Sequence, residues 1–320
     1  MPVTIKNVAE KANVSIATVS RYLNHSGYVS PTAALKIKQA IADVGYKQKT
    51  TSFISTQVKL VEVNFPNIDN PFYAELFEYL SSYLKEKGYD CILHLDHFRI
   101  QDFDYYLDRF KKHEISSLIT SSLLNISKKD LNRNFPIISF DRKISPKIPT
   151  VQSNNLDAGT QIAQAVLSRG KQKILIIAGA KEDYYPINDR IKGMMRVFNN
   201  NNMKITLRSL NASESIIAKK IMIQQFLQKN EYDAICCTDD ITALLAKQSS
   251  DLLKINPLIT GFDGTNLIQT LFPSLITVRQ HTKELAQLMS DLLIKKMLHP
   301  LYPLEDIYIL PVHLVNQFNQ

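Results

Sequence analysis

The sequence predicts an α/β fold: a small three-helix helix-turn-helix domain, then a body of two parallel-sheet lobes. Two short helical patterns stand a few residues apart within the first 24 residues. From Lys59 onward, short apolar runs alternate with longer amphipathic ones, the mark of βαβ crossovers on a parallel sheet. Roughly 260 residues of that alternation is long for one open sheet, so two lobes with a cleft between them are the economical arrangement.

Ile5, Val8, Ala9 and Ala12 fall at helical spacing, as do Ile16, Val19 and Leu23. Thr4 and Ser15 stand where N-cap side chains satisfy orphan amides. The link between the two patterns has room only for a tight turn, so the second helix is read as the one that enters a DNA major groove. Ile16, Ala17 and Thr18 stand at its leading end. Ala17 and the methyl of Thr18 can touch a thymine methyl. Ser20 and Arg21 can donate to phosphate, and Arg21 also to guanine. Asn24 closes the pattern. A third helix is expected over 30–44, with Ser30 as cap, Pro31 at its first position, Gly45 beyond its end, and Leu35, Ile37, Ile41 and Val44 as its apolar side.

Charge agrees with a nucleic-acid partner. Lys6, Lys11, Arg21, Lys36, Lys38, Lys47 and Lys49 stand against Glu10 and Asp43 in residues 1–56, which gives that segment most of the chain's net +8. No apolar run is long enough to span a bilayer, and no secretory signal precedes the first helix, so a cytoplasmic protein with no membrane partner is expected. Cys91, Cys236 and Cys237 form no CxxC and read as buried reduced thiols.

In the body, strands are expected at Leu60–Phe65, Cys91–Leu95, Ile115–Thr120, Ile137–Phe140, Lys173–Ala178, Ala234–Cys237 and Leu258–Phe262. Helices are expected at Pro71–Lys87, around 101–113, at Leu156–Ser168, Pro186–Asn199, Ser213–Lys229 and Ile241–Leu253. The first is typical: Asn70 caps it, Pro71 opens it, Phe72, Leu76, Leu80, Tyr83 and Leu84 form its stripe, and Gly88 stops it. Tyr302–Gln320 is proline-punctuated and strand-like.

Ligands of open α/β sheets bind beyond the carboxyl ends of strands. Asp141-Arg142, Asp239-Asp240 and Asp263 each follow such a strand and would converge on one cleft. Carboxylates that accept hydroxyl protons, an arginine that donates and aromatic faces that cover C–H surface suit a neutral sugar. Asp240 is read instead as a carboxylate stabilised by a helix dipole. Phe72 has a second reading as a core anchor, and Arg190 one as a surface residue. His94-Leu-Asp-His97 lacks third and fourth ligands, so no metal site is expected. There is no Gly-x-Ser-x-Gly elbow, phosphate loop or dinucleotide fingerprint, and only nine glycines. No enzyme activity and no cofactor are expected.

The run Ile5-Lys-Asn-Val-Ala, the run Val14 to Asn24 and the pair Gly45-Tyr46 resemble the start of the LacI/GalR family of bacterial transcription regulators. Ile138–Arg142, Thr238–Leu245 and Thr260–Ile268 are similar to the sucrose-operon repressor branch of that family. The resemblance implies a periplasmic-binding-protein-like body whose chain crosses between lobes three times. It implies an effector pocket lined by Phe72, Tyr73, Asp141, Arg190, Asp239 and Asp263, with Arg190 gripping the effector. It also implies a repressor, released by sugar, that binds a pseudo-palindromic double-stranded DNA operator as a homodimer. A regulator of another sugar and one that uses a corepressor stay open, as does a sugar-binding module without DNA function.

The expected organisation is a DNA-binding domain over 1–46, a hinge linker over 47–58, and an effector-binding and dimerisation domain over 59–320. Within the last, lobe one takes about 59–154 and 281–307, and lobe two about 155–280 and 308–320. Family members follow Gly-Tyr with Pro-Asn and then Ala-Arg-x-Leu, whose leucine enters the minor groove. Here the segment after Tyr46 is Lys-Gln-Lys-Thr-Thr-Ser-Phe-Ile-Ser. Phe53 or Ile54 is therefore the expected wedge.

Overall fold

The computed structural model describes residues 3–24, 28–46, 58–97, 99–131, 133–179, 186–211, 213–228 and 231–315. The chain divides into two compact units, residues 1–52 and 53–320.

The first unit holds α1 (Ile5–Ala12), α2 (Ile16–Asn24) and α3 (Pro31–Val44). Val8, Ala9, Ala12, Val19, Ile37 and Ala40 form its core. Caps set the boundaries. The Thr4 amide and hydroxyl both donate to Asn7 Oδ1 at 2.8 Å. Ser15 Oγ accepts from the Thr18 amide at 3.0 Å, and Ser30 Oγ from the Ala33 amide at 3.3 Å. Gly45 ends α3 with φ +64°, a conformation a Cβ would disfavour. Leu35 departs from the expected apolar side: it is 68% exposed, and Ala40 takes the buried position instead.

The body opens with β1 (Leu60–Phe65), α4 (Pro71–Glu86), β2 (Asp90–Leu95), β3 (Gln101–Asp102), α5 (Phe103–Lys111), β4 (Ser117–Thr120) and β5 (Leu124–Asn125). There follow α6 (Lys128–Leu131), β6 (Ile137–Phe140), β7 (Thr150–Ser153), α7 (Asn155–Leu167), β8 (Lys173–Ala178), α8 (Pro186–Asn200) and β9 (Lys204–Ser209). The chain closes with α9 (Ile216–Gln228), β10 (Ala234–Cys237), α10 (Asp240–Leu252), β11 (Leu258–Asp263), α11 (Asn266–Leu271), β12 (Ile276–Gln280), α12 (Thr282–Leu298), β13 (Ile307–Leu310) and β14 (Val312–Val315).

Two six-stranded sheets result, ordered β13-β7-β6-β4-β1-β2 and β14-β12-β11-β10-β8-β9. The first is parallel throughout, and in the second only β14 runs antiparallel, against β12. Both orders reverse at a switch point, between β1 and β4 and between β8 and β10, where crevices open beyond the strand ends. The chain changes sheet after β7, after β12 and between β13 and β14. The last change occurs at Pro311 rather than at residue 308, because Tyr308–Leu310 still pair with β7. Proline has no amide to give a ladder, so the strand breaks there.

In lobe one, α4 and α12 cover one face of the sheet through Phe72, Leu76, Leu80, Leu84, Leu285, Met289 and Leu293. The other face packs on α5. In lobe two, α7 and α8 cross at backbone contact. A Cβ on Gly159 would stand 2.0 Å from the Arg190 carbonyl oxygen, and one on Gly193 2.2 Å from that of Leu156. Among the described residues no helix is long and apolar enough to cross a membrane.

Candidate functional site

Two regions carry the expected functional residues. In the first unit, Ile16, Ala17 and Arg21 on α2 are exposed, and Thr18 and Ser20 are half-buried. Ile16 is 48% exposed, whereas Val19 on the opposite face is fully buried. Ile16, Ala17 and Arg21 are thus free to meet a partner, while Val19 holds the helix to its core. Ser15 serves as the cap and also bonds Thr18 Oγ1 at 2.8 Å. Thr4 is exposed beside α1. Asn24 ends α2; its side chain, and the whole of Phe53 and Ile54, lie outside the described residues.

In the body, a cleft of about 790 Å³ lies between the lobes and takes its lining from both. It includes all six expected effector residues: Phe72, Tyr73, Asp141, Arg190, Asp239 and Asp263. Asn70 caps α4 by accepting from the Phe72 amide at 2.9 Å, which brings two rings to the cleft floor. Phe72 is buried and stacks on Phe140 at 5.6 Å, and Tyr73 meets Phe65 at 5.1 Å. Phe72 therefore anchors the core and lines the cleft at once.

Arg190 is buried, not on the surface. Its Nε donates to Asn155 Oδ1 at 2.8 Å and its Nη1 to the Thr238 carbonyl at 2.7 Å. Its guanidinium lies 3.4 Å from the centroid of the Phe262 ring. The close crossing of α7 and α8 sets this geometry, since Asn155 begins α7 and Arg190 lies one turn before Gly193.

The carboxylates differ in duty. Asp141 sits just past β6 at φ +62°, and its Oδ1 is buried without a hydrogen-bond partner. Burial pushes its pKa up to about 6 against the pull of Arg190 and Arg142. Asp263 accepts from Asn70 at 2.9 Å and from Gln280 at 2.8 Å, and burial raises it to about 7. Asp239 is the N-cap of α10, accepting from the Thr242 amide and hydroxyl at 2.7 Å each. Asp240 does more than meet a helix dipole. It is buried, accepts from the Gly264 amide at 2.8 Å and Thr277 Oγ1 at 2.6 Å, and titrates well above the usual carboxylate range through burial and the Asp263 charge.

Unsatisfied buried acceptors, a buried guanidinium and aromatic faces at strand ends bind a polyhydroxylated ligand better than an apolar one. Among the described residues no three His, Cys, Asp or Glu side chains group as metal ligands. His94 instead meets Glu62 at 3.0 Å, and His97 lies at the cleft mouth.

Comparison with known proteins accounts for both regions. Residues 4–49 match the model of bacterial regulatory proteins of the lacI family, and residues 120–293 match a periplasmic binding protein domain. The sucrose operon repressor of Streptococcus mutans is 34% identical, covering 99% of both chains. That of Lactococcus lactis is 32% identical, covering 92% of this chain and 93% of its own. The chain belongs to the lacI family. It is a DNA-binding regulator, not an enzyme. A periplasmic binding protein/LacI transcriptional regulator from Alkaliphilus metalliredigens, solved with D-xylulofuranose, is 25% identical with a TM-score of 0.69, covering 81% of this chain and 97% of its own.

Sequence reasoning missed three residues that build the lacI-family cleft here: Asn70 and Gln280, which line it, and Asn155, which orients Arg190. Asn70 was legible only as a cap, whereas Arg142, expected beyond its strand beside Asp141, does line the cleft. Gln280 ends a strand whose pattern is too mixed to read, so nothing local marks it.

Proposed function

We propose that this lacI-family chain represses a sucrose or related carbohydrate-utilisation operon in the cytoplasm and is released from DNA by a sugar. Two copies, related by a two-fold axis, would present two α2 helices to a pseudo-palindromic operator. Ile16, Ala17, Thr18, Ser20, Arg21 and Asn24 would face the groove, with Thr4 and Ser15 at the flanking phosphates and Phe53 or Ile54 as the linker wedge. The observation that carries the reading is the cleft: Arg190 and Asp263 from lobe two and Asp141 from lobe one turn buried polar groups on one space, and the two sucrose repressors above share nearly the whole chain. Phe72 and Tyr73 would cover the sugar's C–H face, and Asp239 would accept a hydroxyl at the rim.

One observation favours a smaller effector as a second reading. The Alkaliphilus relative holds a ketofuranose, and the fructosyl ring of sucrose is itself a furanose, so free fructose belongs beside sucrose as a candidate. Thermal melting with a sugar panel decides, since ligand at 100 times its dissociation constant stabilises by about 2.7 kcal/mol. A sugar shift with no operator binding would leave a binding module without DNA function. For DNA, operator affinity should fall steeply with salt, and Arg21→Ala should weaken it while the sugar shift persists. Normal operator binding by Arg21→Ala would remove α2 from the interface.

A further inference from the structure

Beyond the sugar-contacting set, a second polar array spans the lobes. Glu75 stands on α4 one turn after Phe72, in lobe one, and does not line the cleft. Its Oε2 accepts from the backbone amide of Asn266, at the start of α11 in lobe two, at 2.8 Å. Its Oε1 accepts from Thr282 Oγ1, the first residue of α12 beyond the second crossing. One turn further along α4, the Tyr79 hydroxyl accepts from Asn266 Nδ2 at 3.4 Å. Asn266 is held in turn from within lobe two, where Arg279 Nη2 donates to its Oδ1 at 2.6 Å. The inner array is separate: Asn70 donates to Asp263 at the cleft itself, and the buried Ser153 donates to the cleft-lining Gln280 at 2.7 Å.

We propose that Glu75 is an inter-lobe latch, a carboxylate outside the ligand cleft that ties α4 of lobe one to the Asn266 amide of lobe two and so sets the fraction of molecules with lobes closed. A hydrogen bond that exists only when two bodies meet biases the equilibrium toward their meeting. A charged acceptor makes it stronger than a neutral one. Of its two acceptor oxygens, Oε2 meets lobe two at Asn266, while Oε1, bonded to Thr282 within lobe one, holds the carboxylate in place. An effector that needs both lobes binds the closed form, and its apparent affinity scales with the population of that form. The latch thereby tunes sensitivity to the effector without touching it. This inference rests on the cleft being the sugar site for its affinity readout, but not for its conformational one.

The test uses the full chain with spin labels at Glu86→Cys and Asn199→Cys in a Cys91→Ser background, one label on each lobe. Without sugar, Glu75→Ala should broaden the inter-lobe distance distribution toward longer separations. Glu75→Gln keeps one acceptor oxygen and should fall between Glu75→Ala and the parent. Thr282→Ala, which removes the bond that orients the carboxylate within lobe one, should shift it in the same direction by less. Where the parent binds a sugar, Glu75→Ala should weaken that binding by about tenfold through the closed fraction alone. A distance distribution unchanged in all three variants overturns the latch. A parent that binds no sugar, with the distances shifted as expected, overturns the sugar reading and leaves the latch standing.

Discussion

Arg190 is the residue on which the proposed effector site turns. It fills its bonds to Asn155 and Thr238 and lies on Phe262, so its remaining donors are pre-aimed at the cleft. A charge-assisted hydrogen bond is worth about 1.5–3 kcal/mol when its partner would otherwise go unpaired. Arg190→Ala should therefore weaken sugar binding by at least about tenfold. Because Arg190 lies in the body and not in the DNA-reading unit, the variant should still bind operator, giving a repressor that sugar no longer releases. Calorimetric titration beside an operator shift assay reads both, and normal release would sink the pocket assignment. Asp141 gives a pH test. Its folded pKa, about 6, lies above the ordinary carboxylate value of 3.8, so the native state prefers the protonated form. Stability from this group is then full below about pH 4 and is lost as pH rises through 6. Asparagine mimics the neutral acid and tolerates the left-handed backbone at φ +62°. Asp141→Asn should melt higher than the parent at pH 8, with the gap closing toward pH 4. A gap that widens on acidification would reverse the sign and the argument. Asp141 was legible because it follows an apolar strand, and Arg190 only through the family resemblance. Asn155 and Gln280 were not, because their roles depend on which elements the fold brings beside them.

At the scale of elements, helices with clear stripes and caps were readable to within a few residues, as α4 and α3 show. The strands that escaped are short or polar: β7 is Thr-Val-Gln-Ser, buried by its neighbours and not by its own apolarity, and β9 is an edge strand of mixed character. The α12 stripe of Leu285, Met289, Leu292, Leu293 and Met297 is at helical spacing and carried a readable signal, although the expected series stopped at Phe262. The contact between α7 and α8 was invisible in sequence, since two glycines 34 positions apart say nothing until the helices cross. It is also the element that fixes Arg190. An alanine replacing glycine in an open helix gains up to about 1 kcal/mol. At Gly193 the new methyl would stand 2.2 Å from the Leu156 carbonyl oxygen and force the helices apart, an overpacking that costs about 1–3 kcal/mol. Gly193→Ala should melt lower than the parent and bind sugar more weakly than its loss of stability explains, since Arg190 moves with α8. A variant that melts at or above the parent would mean the crossing has slack.

For the whole molecule, regulation means that two distinct sites share one free energy. The DNA-reading helix lies in residues 1–52 and the cleft in residues 53–320, which are separate compact units, so no contact set of either unit alone can carry the signal. The coupling has to pass through states of the full chain, and thermodynamics then fixes its form. If sugar lowers operator affinity by some factor, operator must lower sugar affinity by the same factor, typically about 5–150-fold. The two measurements are independent. One titrates operator at zero and at saturating sugar, and the other titrates sugar with and without saturating operator, with a scrambled duplex to remove the non-specific phosphate term. Equal factors are expected at one salt concentration, and both should shrink together in Arg190→Ala. If operator instead raises sugar affinity, the sugar is a corepressor and release is the wrong direction. If sugar changes operator affinity while operator leaves sugar affinity untouched, the effector acts at some site other than the one titrated, and the cleft is not the regulatory site.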